Sequence, residues 1–169
     1  MVGGWLSPSH DAYLQPKAAA LGTIGLSAGF RLEVARRALA DDTLIAAASW
    51  EADQEWFVDF DTVTDALRST VGDGLLMGDA LGGLPTPSVF YCCGTDHAER
   101  CGLYQGMNVV VVPRAGEQAG AENPARSVFV AEPAAGELAA FSSTKVRRVQ
   151  RKTPNTSSPH FRRRRRPSC

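Results

Sequence analysis

The residues best suited to chemistry lie late in the chain, in Phe141-Ser142-Ser143-Thr144-Lys145-Val146-Arg147-Arg148. Ser142 or Ser143 can cap a helix, whose first-turn N–H groups and positive dipole end attract an anion. Thr144 and Arg147 stand three apart and so share a helical face. A hydroxyl, backbone donors and a guanidinium then converge on one spot, which suits a polyphosphate. The same residues also read as a capped surface helix with a solvated basic face. A second group, Cys93-Gly94-Thr95-Asp96, follows an apolar run. Gly94 lets a ligand approach the backbone, and Asp96 can accept hydrogen bonds from a ribose or an amide. The alternative for Asp96 is a helix N-cap. Trp50-Glu51 and Trp56 follow another apolar run, where an indole stacks on a planar ring or packs at a sheet edge. His10, in Ser7-Pro8-Ser9-His10-Asp11, reads as a turn histidine or a general acid. Cys92, Cys93, His97 and Cys101 lack a second paired-cysteine element, so buried thiols are expected there and no metal site is assigned. Gly22–Gly29 lacks the Gly-Lys-Ser/Thr ending of a phosphate loop.

These groups need elements to hold them. Met1–Trp5 reads as the end of a strand, and Ala18–Gly29 as a loop with a short helix at most. Phe30–Ala40 has apolar residues at Phe30, Val34, Ala35 and Ala38, a helical spacing. Thr43–Trp50 is an apolar run of strand length. Phe60, Val63, Leu67 and Val71 form one helical face, and Gly72–Pro87 reads as a surface connection. Ser88–Cys93 and Asn108–Pro113 are the clearest strands, with Ser127–Ala131 a weaker third. Their lack of polar alternation fits strands buried on both faces. Strands alternating with helical segments predict an α/β fold with a mainly parallel sheet.

The chain has 169 residues, 44% of them apolar, too many for a disordered chain and enough for one domain. No run approaches the ~20 apolar residues of a membrane helix, and Met1–Pro8 does not read as a signal peptide. A protein of the cytoplasm or nucleus, without membrane contact, is the expectation. The net charge of zero hides a split. Residues 1–144 carry 8 basic and 18 acidic side chains, a net −10, and residues 145–169 carry 10 basic and no acidic ones. The body therefore repels anions except where a few cations are placed. Two regions are expected: a domain over residues 1–152, and a disordered arginine-rich tail over 153–169 with Arg162–Arg166 at its centre. Such a tail offers salt-dependent contacts to nucleic acid.

In their order, these motifs resemble the nicotinamide/nicotinic acid mononucleotide adenylyltransferases, especially the eukaryotic type. Ser7-Pro8 with Asp11-Ala12-Tyr13 is similar to the family's SPxxDAY segment, and Trp50-Glu51 with Gln54-Glu55-Trp56 to its WE…EW segment. Cys93-Gly94-Thr95-Asp96 is similar to its CGxD motif, Val112–Gly116 to its T-R-A-G strand end, and Ser142–Arg148 to its ISSTKIRR motif. The resemblance spans Gly3 to about Arg151. It implies a Rossmann-like nucleotidyltransferase fold and transfer of AMP from ATP, with Mg²⁺, to the 5′-phosphate of the mononucleotide in NAD synthesis. It implies pyridine-nucleotide contacts at Trp56 and Trp50, and at Leu103 and Tyr104, which fall where the family has Leu-Trp. Nucleotide and phosphate contacts are implied at Gly94, Asp96, Arg114, Ser143, Thr144, Lys145 and Arg147, and at Lys17, which follows the DAY segment. Ala139 falls where the family often has Asn. The family's opening strand and its GxFxPxxxxH turn, which cradles ATP phosphates, have no counterpart after Met1. An absent N-terminal strand and impaired turnover are therefore expected of the chain as it stands. The alternatives are a non-catalytic mononucleotide-binding module and tail-mediated nucleic-acid binding.

Overall fold

The computed structural model describes residues 3–78, 87–106, 108–133 and 136. Gly4–Leu6 (β1) runs into the helix Asp11–Ala20 (α1), and a second helix, Ala28–Ala38 (α2), leads to Ile45–Ala47 (β2). β1 and β2 pair in parallel, with Trp5 opposite Ala46. The long helix Phe60–Gly78 (α3) precedes Tyr91–Cys93 (β3). Thr95–Arg100 (α4) and a 3₁₀ turn at Leu103–Gln105 return the chain to Val109–Val111 (β4), and Val128–Val130 (β5) follows. β3, β4 and β5 form a second parallel sheet in that order, with Cys92 opposite Val110 and Val110 opposite Phe129. Every parallel pair is joined by a crossover long enough to return the chain to the same end of the sheet.

The architecture is thus mixed α/β with short parallel sheets. Among the described residues the strands form two sheets, of two and three strands, where a single sheet was expected. The strands are also short. Thr43–Trp50 contributes three paired residues, because the chain leaves β2 at Ala48 and turns at Ser49–Asp53, where the Asp53 N–H donates to the Ser49 carbonyl at 3.0 Å.

The main core lies on the three-stranded sheet. Val109, Val111 and Val128 are fully buried with Ala98 and Leu103, and Phe60, Tyr91, Cys93, Tyr104 and Val130 pack around them. Valines suit this place because the branched side chain fits a pleated surface. β4 is paired on both edges and buried, as its unbroken apolar run predicts. β3 is paired on one edge, and its Cys92 is exposed.

Several local expectations change. A helix covers Asp11–Ala20 with Pro16 inside it, and the His10 Nδ1 accepts from the Ala12 N–H at 3.1 Å and caps its first turn. That settles His10 as a capping residue in this structure. On α2 the buried stripe is Ala28, Leu32 and Ala35, while Phe30 and Val34 are about half exposed. Ser27 caps this helix by accepting from the Phe30 N–H at 3.3 Å, two residues earlier than the apolar spacing suggests. α3 begins where expected, with Phe60, Val63, Thr64 and Leu67 turned inward, but runs on through Gly72 to Gly78. Among the described residues no helix is long and apolar enough to cross a membrane.

Candidate functional site

The carboxyl ends of β3 and β4 lie side by side, since the Val112 N–H donates to the Cys93 carbonyl at 2.7 Å. β3 opens into Gly94, Thr95 and Asp96, and β4 opens through Pro113 into Arg114. Gly94 is the N-cap of α4 in extended backbone, with no side-chain cap bond. Asp96 is therefore not the cap but the second helical residue. A Cβ on Gly94 would come within 3.2 Å of the Asp96 Oδ1, so a larger residue there presses on that carboxylate. The Arg100 guanidinium lies 3.6 Å from the Asp96 Oδ2 in an exposed pair, which contributes little to stability.

Arg114 starts a tight turn that the Glu117 N–H closes on the Arg114 carbonyl at 2.9 Å. Gly116, third in that turn, has φ +84°, a conformation glycine adopts without the Cβ penalty. The turn brings the Glu117 carboxylate back over the strand ends. Its Oε2 accepts from the Thr95 hydroxyl at 2.5 Å and from the Arg114 N–H at 3.2 Å. Its Oε1 lies 3.5 Å from the Arg114 Nη1. The Thr95 hydroxyl and the Arg114 N–H hold the Glu117 carboxyl below its ordinary range, against some desolvation, with further help from the guanidinium.

The ends of β1 and β2 are tied in the same way. The Ala48 N–H donates to the Leu6 carbonyl at 3.0 Å, and the Ser7 hydroxyl donates to the Glu51 Oε2 at 2.8 Å. Glu51 is buried, a rare state for a glutamate without a partner. Beside it the chain turns Trp50 and Trp56 outward, Trp56 at 66% exposure. Tyr13 stacks on Phe57 with ring centres 5.3 Å apart, and the Lys17 ammonium lies 5.4 Å from the Tyr13 ring centre. These side chains offer flat apolar faces and one cation next to a strand end, a surface able to stack on a planar ring.

Phe60 joins the two ends. It follows the Trp50–Trp56 segment and stacks on Tyr91 at 4.8 Å, with its edge on His97 at 4.9 Å. Burial raises the Tyr91 pKa, and the charges of Cys93 and Glu51 add to that effect. The Tyr91 phenol is accordingly a neutral packing group.

Gly94, Asp96 and Arg114 come together at one sheet end, and Trp50, Trp56 and Lys17 gather near the other. Leu103 is buried in the core against Ala98 and Val109. The Tyr104 hydroxyl accepts from the Gly120 N–H at 3.0 Å, and its ring flanks the core. Ser143, Thr144, Lys145 and Arg147 lie outside the described residues, as do Ala139 and the tail. The thiols are not buried as expected: Cys92 and Cys101 are exposed and Cys93 is half-buried. Among the described residues no three His, Cys, Asp or Glu side chains are arranged to hold a metal ion. Sequence reasoning passed over Thr95, Glu117 and Ser7 as partners, and over Glu51 beyond its motif. Only Glu51 carried a signal, a carboxylate directly after an apolar run. The chain matches no known family model and no curated protein.

Proposed function

We propose that this chain binds a pyridine mononucleotide and transfers an adenylyl group to it from ATP, forming a dinucleotide and pyrophosphate. The observation that carries the reading is the gathering of Gly94, Asp96 and Arg114 at adjoining ends of parallel strands, the end at which open α/β sheets bind ligands. The ordered motif resemblance from Ser7 to Arg148 supports it. So do the outward-facing Trp50 and Trp56 beside the end of β2, which supply a stacking surface for the pyridine ring. The reading also accounts for the two separate sheets. A doubly wound sheet would need a further central strand to join them, and the described strands pair only within the two sheets.

The chemistry asks little of acid–base groups. The 5′-phosphate of the mononucleotide attacks the α-phosphorus of ATP, the bond to the β-phosphate oxygen breaks, and pyrophosphate leaves. Rate comes from holding two anions in line and offsetting the charge that grows around the α-phosphorus. In this reading Arg114 meets the adenosine side, Gly94 leaves room for the nucleotide, and Asp96 accepts from ribose or amide donors. Ser143, Thr144, Lys145 and Arg147, by the motif resemblance, contact the ATP phosphates. Mg²⁺ arrives with ATP as part of the substrate.

The test is to incubate the full chain with Mg²⁺-ATP and either the amide or the acid mononucleotide. Dinucleotide and pyrophosphate are expected in equal amounts but at a strongly impaired rate, together with quenching of tryptophan fluorescence by the mononucleotide alone. Quenching without product would replace the reading with non-catalytic mononucleotide binding. Neither product nor quenching would reject both. Nucleic-acid retention that disappears on deleting residues 153–169 would assign that separate property to the arginine-rich tail.

A further inference from the structure

We propose that the Thr95 hydroxyl, the Arg114 N–H and the Arg114 guanidinium form a binding site for a phosphate-type anion, which Glu117 occupies as a built-in competitor. Three donors from two different elements converge on one carboxylate, at 2.5, 3.2 and 3.5 Å. They are one hydroxyl, one amide and one guanidinium, the donor types that hold phosphoryl oxygens. With Glu117 in place Thr95 is 5% exposed, so its hydroxyl is shielded by the acceptor it now has. The donors are therefore set by the fold, and an acceptor with negative charge is what they require.

The occupant is built differently. Glu117 sits on an exposed turn, and its side chain is about one-third exposed. Its bond to the Arg114 guanidinium is a surface ion pair, cheap to break. Rotation about its side-chain bonds carries the carboxylate to solvent without moving β3, α4 or β4. A tetrahedral anion entering then finds the same three donors. Asp96 opposes it, since its charge already acts unfavourably on Glu117, and Arg100 beside Asp96 offsets part of that repulsion. In a body of net −10, a carboxylate over the cation also keeps weak anions out. The site shares Arg114 with the nucleotide reading but stands on the donor geometry alone.

The experiment titrates inorganic phosphate and pyrophosphate into the full chain and its variants by calorimetry, with thermal melts confirming that each is folded. Removing the competitor with Glu117→Gln is expected to tighten binding by about tenfold or more, the scale of hydrogen bonds to charged groups. Thr95→Val in the Glu117→Gln background is expected to abolish that gain, and Thr95→Ser to keep it. Glu99→Gln removes the same charge from exposed α4 and is expected to change affinity by less than about twofold, given solvent screening. In the unaltered chain, millimolar phosphate is expected to shift the amide signals of Thr95 and Arg114, a readout that needs no variant to fold. No gain from Glu117→Gln, an equal gain from Glu99→Gln, or no shift at either amide would overturn the proposal. Dinucleotide formation without that gain removes this inference alone, and the gain without dinucleotide leaves it standing while removing adenylyl transfer.

Discussion

Ser7, Glu51 and Cys93 show how single side chains acquire their character from their neighbours. Glu51 is buried with one hydroxyl donor, the Ser7 side chain, at 2.8 Å. Removing that donor leaves a buried carboxylate oxygen without its partner. Ser7→Ala is therefore expected to destabilise the chain by about 1–2 kcal/mol in urea unfolding, with a smaller loss for Ser7→Thr. Cys93 sits half-buried at the end of β3, and burial with the nearby Cys92 and Cys101 pushes its thiol up to about 11. At pH 8 its thiolate is scarce. Alkylation of Cys93 by iodoacetamide is expected to run about a hundredfold slower than for an ordinary free thiol, and to accelerate with each step in pH toward 11. The thiol is favoured in the folded state, so its contribution to stability is complete below its unfolded pKa and lost as pH rises through about 11. Site-resolved mass spectrometry across pH 7 to 10 checks the rate, and equal labelling of Cys93 and an unfolded control at pH 8 would contradict it.

At the scale of elements, α1 and α2 are held together by polar contacts as much as by packing. Their buried residues are Ala18, Ala28, Leu32 and Ala35, mostly small, so little apolar area joins them. The Arg31 guanidinium reaches across to the Asp11 Oδ1 at 2.8 Å and also donates to the Leu26 carbonyl at 3.0 Å. Partial burial disfavours the Asp11 carboxylate, but the Ala28 N–H and Arg31 outweigh that and hold its carboxyl below the ordinary range. A depressed carboxyl stabilises above its unfolded pKa and loses that contribution as pH falls through its folded value. Asp11 is more than one-third exposed, so solvent screening limits the pair to less than about 1 kcal/mol. Asp11→Asn is expected to lower stability at pH 7 by that amount. The gap between the two proteins should close as the solution is acidified through the carboxyl range, in parallel urea melts. A gap that widens on acidification would show that Asp11 does not act through its charge.

For the molecule as a whole, stability is expected to be uneven. β4 is paired on both edges, and its Val109 and Val111 are fully buried with Val128 of β5. Among the described residues β1 and β2 pair only with each other, and Trp5, Leu6, Leu44 and Ile45 around them are well exposed. A two-stranded sheet without a covered apolar face is marginal alone. Amides of Val109–Val111 are expected to exchange with deuterium at least ~100-fold more slowly than those of Ile45–Ala47, since local opening is governed by buried contacts and paired edges. Similar protection in both sheets would mean that they open as one unit. Val111→Ala is expected to cost about 2 kcal/mol, from two methyl groups lost out of a fully packed site.

Period and composition alone were enough to place strands within Ser88–Cys93, Asn108–Pro113 and Ser127–Ala131 and helices over Phe30–Ala40 and from Phe60, because apolar runs and helical stripes are local patterns; the bounds Ala28–Ala38 and the extension from Gly72 to Gly78 came only with the structure. They also singled out the Gly94–Asp96 turn, since strand ends and glycine turns can be read from neighbours in the chain, whereas Arg114 was named only by the motif resemblance. Local pattern failed where a distant partner decides. Leu32 rather than Phe30 was buried because the face of α2 toward β2 is set by the pairing of β1 with β2. Thr95, Glu117, Ser7 and Glu51 became partners only through folding. Their contacts span 22 and 44 positions of chain, and hydrogen bonds at such separations follow from how strand ends are brought together.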